Sequence, residues 1–212
     1  MMTIKRFVFN AFQENTYIIY DESGECIIVD PGCFEDHEKE QLADFITEKK
    51  LKPLKLINTH SHVDHILGNN FITEKYGLKP HIHEEGLNFH QSAHEHGMAF
   101  GLMVPRMEDP EGYLDEGEEV AFGKSKLKVI YTPGHVDGHI CLISNEQKFA
   151  VVGDVLFQMS IGRTDLPTGD YDLLMDNIKN KLFLLPDDAT VYPGHGPETS
   201  IGFEKLNNPF LG

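Results

Sequence analysis

The chain has 212 residues, of which 40% are hydrophobic, enough for a folded core and too many for a disordered chain. It carries 18 basic and 34 acidic side chains, a formal net charge of −16. Such an acidic surface repels phosphate groups, which excludes nucleic acid and anionic membranes as expected partners.

The first third reads as short strands at Ile4–Phe9, Thr16–Tyr20 and Glu25–Val29, separated by polar turns and stopped by Asp30-Pro31-Gly32. Leu42, Phe45 and Ile46 recur at helical spacing, so Asp36–Lys50 is expected as an amphipathic helix. A strand at Leu54–Asn58 leads into Thr59-His60-Ser61-His62-Val63-Asp64-His65, then a helical stretch to Tyr76 with Gly77 as its stop. Residues 84–116 are rich in His, Met and Gly and are expected as a loop and short-helix insertion near the site, within one domain spanning 1–212. Strands follow at Glu119–Phe122, Lys126–Tyr131, His139–Ser144 and Phe149–Val152. A helix at Tyr171–Leu182, a strand at Thr190–Tyr192 and a helix at Ile201–Leu206 complete an α/β pattern of sheets covered by helices. The apolar runs are strand-sized, and the amino terminus has no signal-like apolar core. Three unpaired cysteines, Cys26, Cys33 and Cys141, fit a reducing compartment, so a cytoplasmic protein is expected.

Twelve histidines are many for this length. Four ligand-type residues crowd into six positions: His60, His62, Asp64 and His65. In an extended loop His60 and His62 point to one side and can grip one metal, while Asp64 and His65 fall at the turn into a helix and suit a neighbouring one. His135, Asp154 and His195 each follow an expected strand and sit beside glycine, which permits tight turns. Ligands gathered from several strand ends make a rigid site.

His-x-His-x-Asp-His with a later His, Asp and His resembles the metallo-β-lactamase fold superfamily, and all seven positions are filled. The resemblance implies a four-layer αββα sandwich with two divalent metal ions at one edge. Zinc is the expected metal, with iron or manganese as alternatives. His60, His62 and His135 would bind the first ion, Asp64, His65 and His195 the second, and Asp154 would bridge them. Asp64 is the expected catalytic residue, orienting the attacking hydroxide.

Gly153-Asp154-Val155-Leu156-Phe157 followed by Ile161-Gly162-Arg163-Thr164-Asp165 is similar to hydroxyacylglutathione hydrolases (glyoxalase II) and to persulfide dioxygenases. The implied activity is hydrolysis of a small hydroxyacyl thioester such as S-lactoylglutathione, by a hydroxide bridging the metals. Arg163 would clamp a substrate carboxylate, or else pair with Asp165. Seventeen residues follow His195, so the helical carboxy-terminal domain of that family is not expected here. Two other chemistries stay open: persulfide oxidation at a mononuclear iron held by His60, His135 and Asp154, and hydrolysis of another ester or a lactone. Asp30 is a candidate support for the metal ligands, and Cys33 reads as a small buried residue. His90 and His94 are spaced to share a helix face, and Met98, Phe100 and Met103 are candidates for a substrate mouth. His81 and His83 read as structural.

Overall fold

The computed structural model describes residues 1–211. Two six-stranded sheets form the centre. The first contains β1 (Thr3–Phe9), β2 (Glu14–Tyr20), β3 (Glu25–Val29), β4 (Lys52–Ile57), β5 (Pro80–Ile82) and β6 (Gly112–Tyr113), paired in that order. β1, β2 and β3 are antiparallel, and β3 through β6 run parallel. The second sheet holds β7 (Glu119–Phe122), β8 (Ser125–Tyr131), β9 (Ile140–Ser144) and β10 (Phe149–Gly153). A small hairpin, β11 (Leu156–Phe157) and β12 (Ser160–Ile161), follows it in the chain. β13 (Thr190–Pro193) then joins the second sheet beside β10, in parallel, with β14 (Thr199–Ser200) at the edge.

The alternation of side chains on these strands dictates four layers. In β3, Ile27 and Val29 meet Leu142 and Val151 of the second sheet, while Cys26 and Ile28 face away, toward Leu42 and Ile46. Those two leucine and isoleucine side chains belong to α1 (Asp36–Glu48). β9 and β10 repeat the pattern: Cys141, Ile143, Ala150 and Val152 turn from the inter-sheet core and pack under Leu174, Ile178 and Ile201. Strands buried on both faces need continuous apolar runs, which Cys26–Val29 and Phe149–Val152 supply. Each fully buried Ile or Leu contributes about 1.5–3 kcal/mol, so this double-sided burial is the main source of the fold's stability. The result is an αββα sandwich.

The helical stretch after the histidine cluster divides into α2 (Val63–Ile66) and α3 (Asn69–Tyr76). Gly68 marks the break, where its N–H donates to the Pro31 carbonyl at 2.7 Å. A Cβ there would lie 2.5 Å from Cys33 Sγ, so only glycine lets the Asp-Pro-Gly turn pack this closely. Gly77 ends α3 in the left-handed conformation (φ 73°), as its position predicts.

Residues 84–116 form a 3₁₀ turn at Glu84–Gly86, α4 (Leu87–Gln91), α5 (Ala93–Ala99), an irregular segment and β6. The expectation that His90 and His94 share a helix face is corrected: Ser92, non-helical at φ −90° and ψ 5°, separates α4 from α5. His90 instead bonds the Glu108 carbonyl through Nε2 (2.8 Å). In the second half, α6 (Tyr171–Asn180) ends before a 3₁₀ turn at Leu182–Leu184, and α7 (Ile201–Asn207) closes the described chain. Among the described residues no helix is long and apolar enough to cross a membrane.

Candidate metal centre

The carboxyl ends of β4, β8, β10 and β13 open on one edge of the sandwich. β4 delivers Thr59 to His65, β8 leads to His135, β10 ends at Asp154 and β13 leads to His195. All seven residues singled out as ligands come together there. One atom each of His60, His62 and His135 lies within 4.8 Å of the others, and the same holds for Asp64, His65 and His195. Asp154 lies between the two groups. Its Oδ2 is 3.7 Å from His135 Nε2 and 3.6 Å from His195 Nε2, and its Oδ1 is 3.4 Å from His65 Nε2.

Neighbouring acceptors orient the rings. The Arg163 carbonyl faces His135 Nδ1 at 2.7 Å, and the Phe12 carbonyl faces His195 Nδ1 at 3.1 Å. Asp30 Oδ2 faces His65 Nδ1 at 3.1 Å, and Thr59 Oγ1 faces His60 Nδ1 at 3.1 Å. Backbone carbonyls and carboxylates only accept, so Nδ1 of His65, His135 and His195 carries the proton and donates it. Nε2 is left toward the centre, the arrangement that metal-ligating histidines use.

The donor set fits a cation. His60 Nε2, His65 Nε2 and Asp154 Oδ1 are buried where these side chains converge, and none makes a hydrogen bond. Buried polar atoms are ordinarily satisfied. His135 Nε2 and His62 Nδ1 are 2.9 Å apart. Two such nitrogens either share a proton or turn both lone pairs to one cation. One atom each of Asp30, His60 and His65 also lies within 4.8 Å of the others. Asp30, however, is committed behind the centre, accepting from Thr59 N–H at 2.7 Å and from the Thr59 hydroxyl at 2.6 Å.

The electrostatics divide the cluster in two. Burial, reinforced by His65, holds His60 well below the ordinary histidine range, and burial with His135 brings His62 down to about 3. Burial also lowers His135. These rings are neutral, as ligands must be. Burial opposes charge on His65 too, but Asp154, Asp64 and Asp30 outweigh it and raise its pKa well above 6.5. His195 is raised against its burial by the hydrogen bond to Asp64 and the charge of Asp154. Burial would likewise raise Asp64 and Asp154, but the facing histidines hold both below the carboxylate range. Without a cation, the carboxylates of Asp64 and Asp154 favour the protonated forms of His65 and His195.

Two further residues shape the site and escaped the sequence reading. His139 is fully buried and stacks on His60, with ring centroids 4.8 Å apart. Its Nε2 accepts from the Asp154 N–H at 3.0 Å, so its remaining N–H points to Thr132 Oγ1 at 3.2 Å. That lone pair is spent on the backbone, which makes His139 a support of the cluster and not a donor to it. The repeat Gly134-His135-Val136-Asp137-Gly138-His139 was the available signal. Glu14 is also fully buried, with Oε1 4.0 Å from His65 Nδ1, and burial pushes its pKa well up. No sequence signal separated it from an ordinary strand-end glutamate.

Arg163 lies on the exposed side of the centre. Its guanidinium binds Asp165 through two hydrogen bonds of 2.8 Å. Met98, Phe100 and Met103 are exposed, and Cys33 is buried among apolar side chains. His83 stacks on Tyr131, with ring centroids 4.0 Å apart.

The family model of the metallo-beta-lactamase superfamily matches residues 9–195. The chain belongs to this superfamily. It is 38% identical to hydroxyacylglutathione hydrolase GloC of Haemophilus influenzae, over 99% of this chain and 98% of that protein. The crystal structure of the BLEG-1 B3 metallo-beta-lactamase superposes with a TM-score of 0.89 at 32% identity, covering 99% of both chains. That of TTHA1623 in a di-iron-bound form gives 0.88 at 33% identity, covering 98% of this chain and all of the other.

Proposed function

We propose that this superfamily member is a dinuclear metallohydrolase that cleaves a hydroxyacyl thioester such as S-lactoylglutathione. The observation that carries the reading is the pair of three-residue clusters around Asp154, with buried donor atoms left unsatisfied at their centre. The full-length similarity to a hydroxyacylglutathione hydrolase supports the substrate class. His60, His62 and His135 would hold one divalent cation, Asp64, His65 and His195 a second, with Asp154 reaching both. Zinc fits the mixed nitrogen and carboxylate set, and the di-iron form of a relative makes iron the first alternative. Such cations, when bound, lower the pKa of water to about 7 and polarise a carbonyl group.

The chain's own residues supply the rest. Asp64 is ionised, and its Oδ2 lies 3.1 Å from His195 Nε2. It orients the attacking water and receives its proton. His139 and Asp30 keep Asp154 and His65 in place from behind. Arg163 would clamp a carboxylate on the thiol portion by exchanging Asp165 for the substrate.

The test is loss of thioester absorbance when protein loaded separately with zinc, iron or manganese is given S-lactoylglutathione. Turnover with a metal content near two per chain supports the reading. Full metal content without turnover refutes the thioesterase assignment. Oxygen uptake with a persulfide, at one iron per chain, would replace it with a dioxygenase.

A further inference from the structure

The two least enclosed rings of the centre are His62 and His195, and each is met by a phenylalanine. Phe89 stands edge-on to His62 at 5.8 Å, and Phe157 meets His195 at 6.2 Å. Phe12, whose carbonyl holds His195 Nδ1, packs edge-on against Phe100 at 5.4 Å. Phe100 is 61% exposed and its neighbour Met98 64%. These rings come from four separate segments: the β1–β2 turn, α4, the end of α5 and β11. A lone exposed apolar side chain needs no explanation, but several aromatic rings bordering one polar centre mark a candidate binding surface. Ligand sites share this composition, apolar walls around a few converging polar groups.

We infer that Phe12, Phe89, Phe100 and Phe157 form an aromatic collar that binds an apolar side chain on the acyl group, so that this enzyme prefers 2-hydroxyacyl thioesters bearing an aryl or bulky alkyl substituent. The inference rests on the thioesterase reading above and specifies its substrate. The collar side chains carry no charge, and the nearby exposed cation, Arg163, is the group assigned above to a carboxylate on the thiol portion. The collar therefore offers contact area and aromatic edges, with no group to neutralise an anionic acyl chain. The reaction is plain hydrolysis: water adds to the carbonyl carbon, the C–S bond breaks, and a 2-hydroxy acid and a thiol leave.

The experiment compares S-lactoylglutathione with S-mandeloylglutathione, which differ only in methyl against phenyl, on metal-loaded enzyme. The expected kcat/KM ratio favours mandeloyl by about tenfold or more, the range set by a modest apolar addition in a fitted pocket. Phe100→Ala and Phe89→Leu should bring that ratio toward one, mainly through KM for the mandeloyl substrate. Phe100 is exposed and Phe89→Leu keeps apolar bulk, so both variants should retain native metal content. A native ratio near one, or a ratio unchanged in both variants, overturns the collar. If neither thioester is hydrolysed by fully loaded protein, the thioesterase reading fails by itself. The collar is then judged by saturation transfer from the protein to the phenyl protons of mandelate. Transfer that falls in Phe100→Ala supports it, and transfer equal in native and variant protein overturns it.

Discussion

Asp30→Asn should weaken metal binding without changing any ligand. Asp30 has φ 48°, a left-handed conformation that asparagine adopts readily, so the backbone turn survives. Its carboxylate accepts from Thr59 N–H (2.7 Å), Thr59 Oγ1 (2.6 Å) and His65 Nδ1 (3.1 Å). With an amide in its place, Oδ1 can still serve Thr59 N–H, which turns the NH₂ group toward His65. His65 Nδ1 must then accept, and its proton moves to Nε2, the atom facing the centre. Support residues of this kind are worth 10–100-fold in metal affinity, or about 1.4–2.7 kcal/mol. The opposite amide orientation leaves the buried Thr59 N–H facing a donor, at a cost of about 1–3 kcal/mol in stability. Either orientation breaks one interaction. Metal titration against a competing chelator, with thermal unfolding of the metal-free protein, reads both effects. Native affinity together with a native melting temperature would refute the reasoning.

His135→Ala removes the ring that meets His62 at 2.9 Å and approaches Asp154 at 3.7 Å. Metal content should drop by about one ion per chain, with turnover down at least 100-fold; metal analysis and rates at native levels would sink the assignment. Gly153 has φ 47°, and a Cβ there would strike Thr59 Oγ1 and lie 2.7 Å from His139 Nε2. Gly153→Ala should therefore lose more than about 1–2 kcal/mol, seen as a lower urea midpoint, and an unchanged midpoint would contradict the contact. Asp21 is buried at a hub joining the β2–β3 and β7–β8 turns. Burial alone would raise its pKa, but hydrogen bonds from Ser23, Ser125 and Lys124 outweigh it and hold the carboxyl far below its ordinary value. Because the folded pKa is the lower one, this stabilisation is complete above the unfolded value of about 3.9 and is lost as pH falls below it. Asp21→Asn should cost about 1.5–3 kcal/mol at pH 7, and the gap to the native protein should narrow below about pH 4. Calorimetric melts that keep the same gap down to about pH 2 would disprove it.

Elements that advertise themselves locally were legible in the sequence. Cys26–Val29 and Phe149–Val152 are strand-length apolar runs, the pattern of strands buried on both faces. The His60–His65 cluster and the glycine-flanked His135, Asp154 and His195 stand where strands end. Elements whose existence depends on a distant partner were not legible. β5 and β6 are three and two residues long, and exist as strands because β4 offers an edge to β5 and β5 offers one to β6. Glu14 looks like a solvated residue at a strand start. It is buried because Asn10, Gly32 and Asp64 close over it: a Cβ at Gly32 would meet Glu14 Oε2, and Asn10 Nδ2 donates to the carbonyls of Gly32 (2.9 Å) and Asp64 (3.0 Å).

The same distinction separates the centre from its selectivity. The ligand-type residues issue from the ends of strands packed on both faces, and their rings are braced from behind by Asp30, His139 and backbone carbonyls. Such a set has little freedom to vary in geometry. The collar rings come mostly from turns and from short helices broken at Ser92, where neither sheet register nor core packing restrains the side chains. Substrate choice can therefore change by substitution at Phe89 or Phe100 without disturbing a single donor atom. For that reason a motif of seven residues identifies the superfamily and its metal chemistry yet leaves the acyl group undetermined. Under the thioesterase reading proposed above, acyl preference rests on the rings that four distant segments bring to the rim.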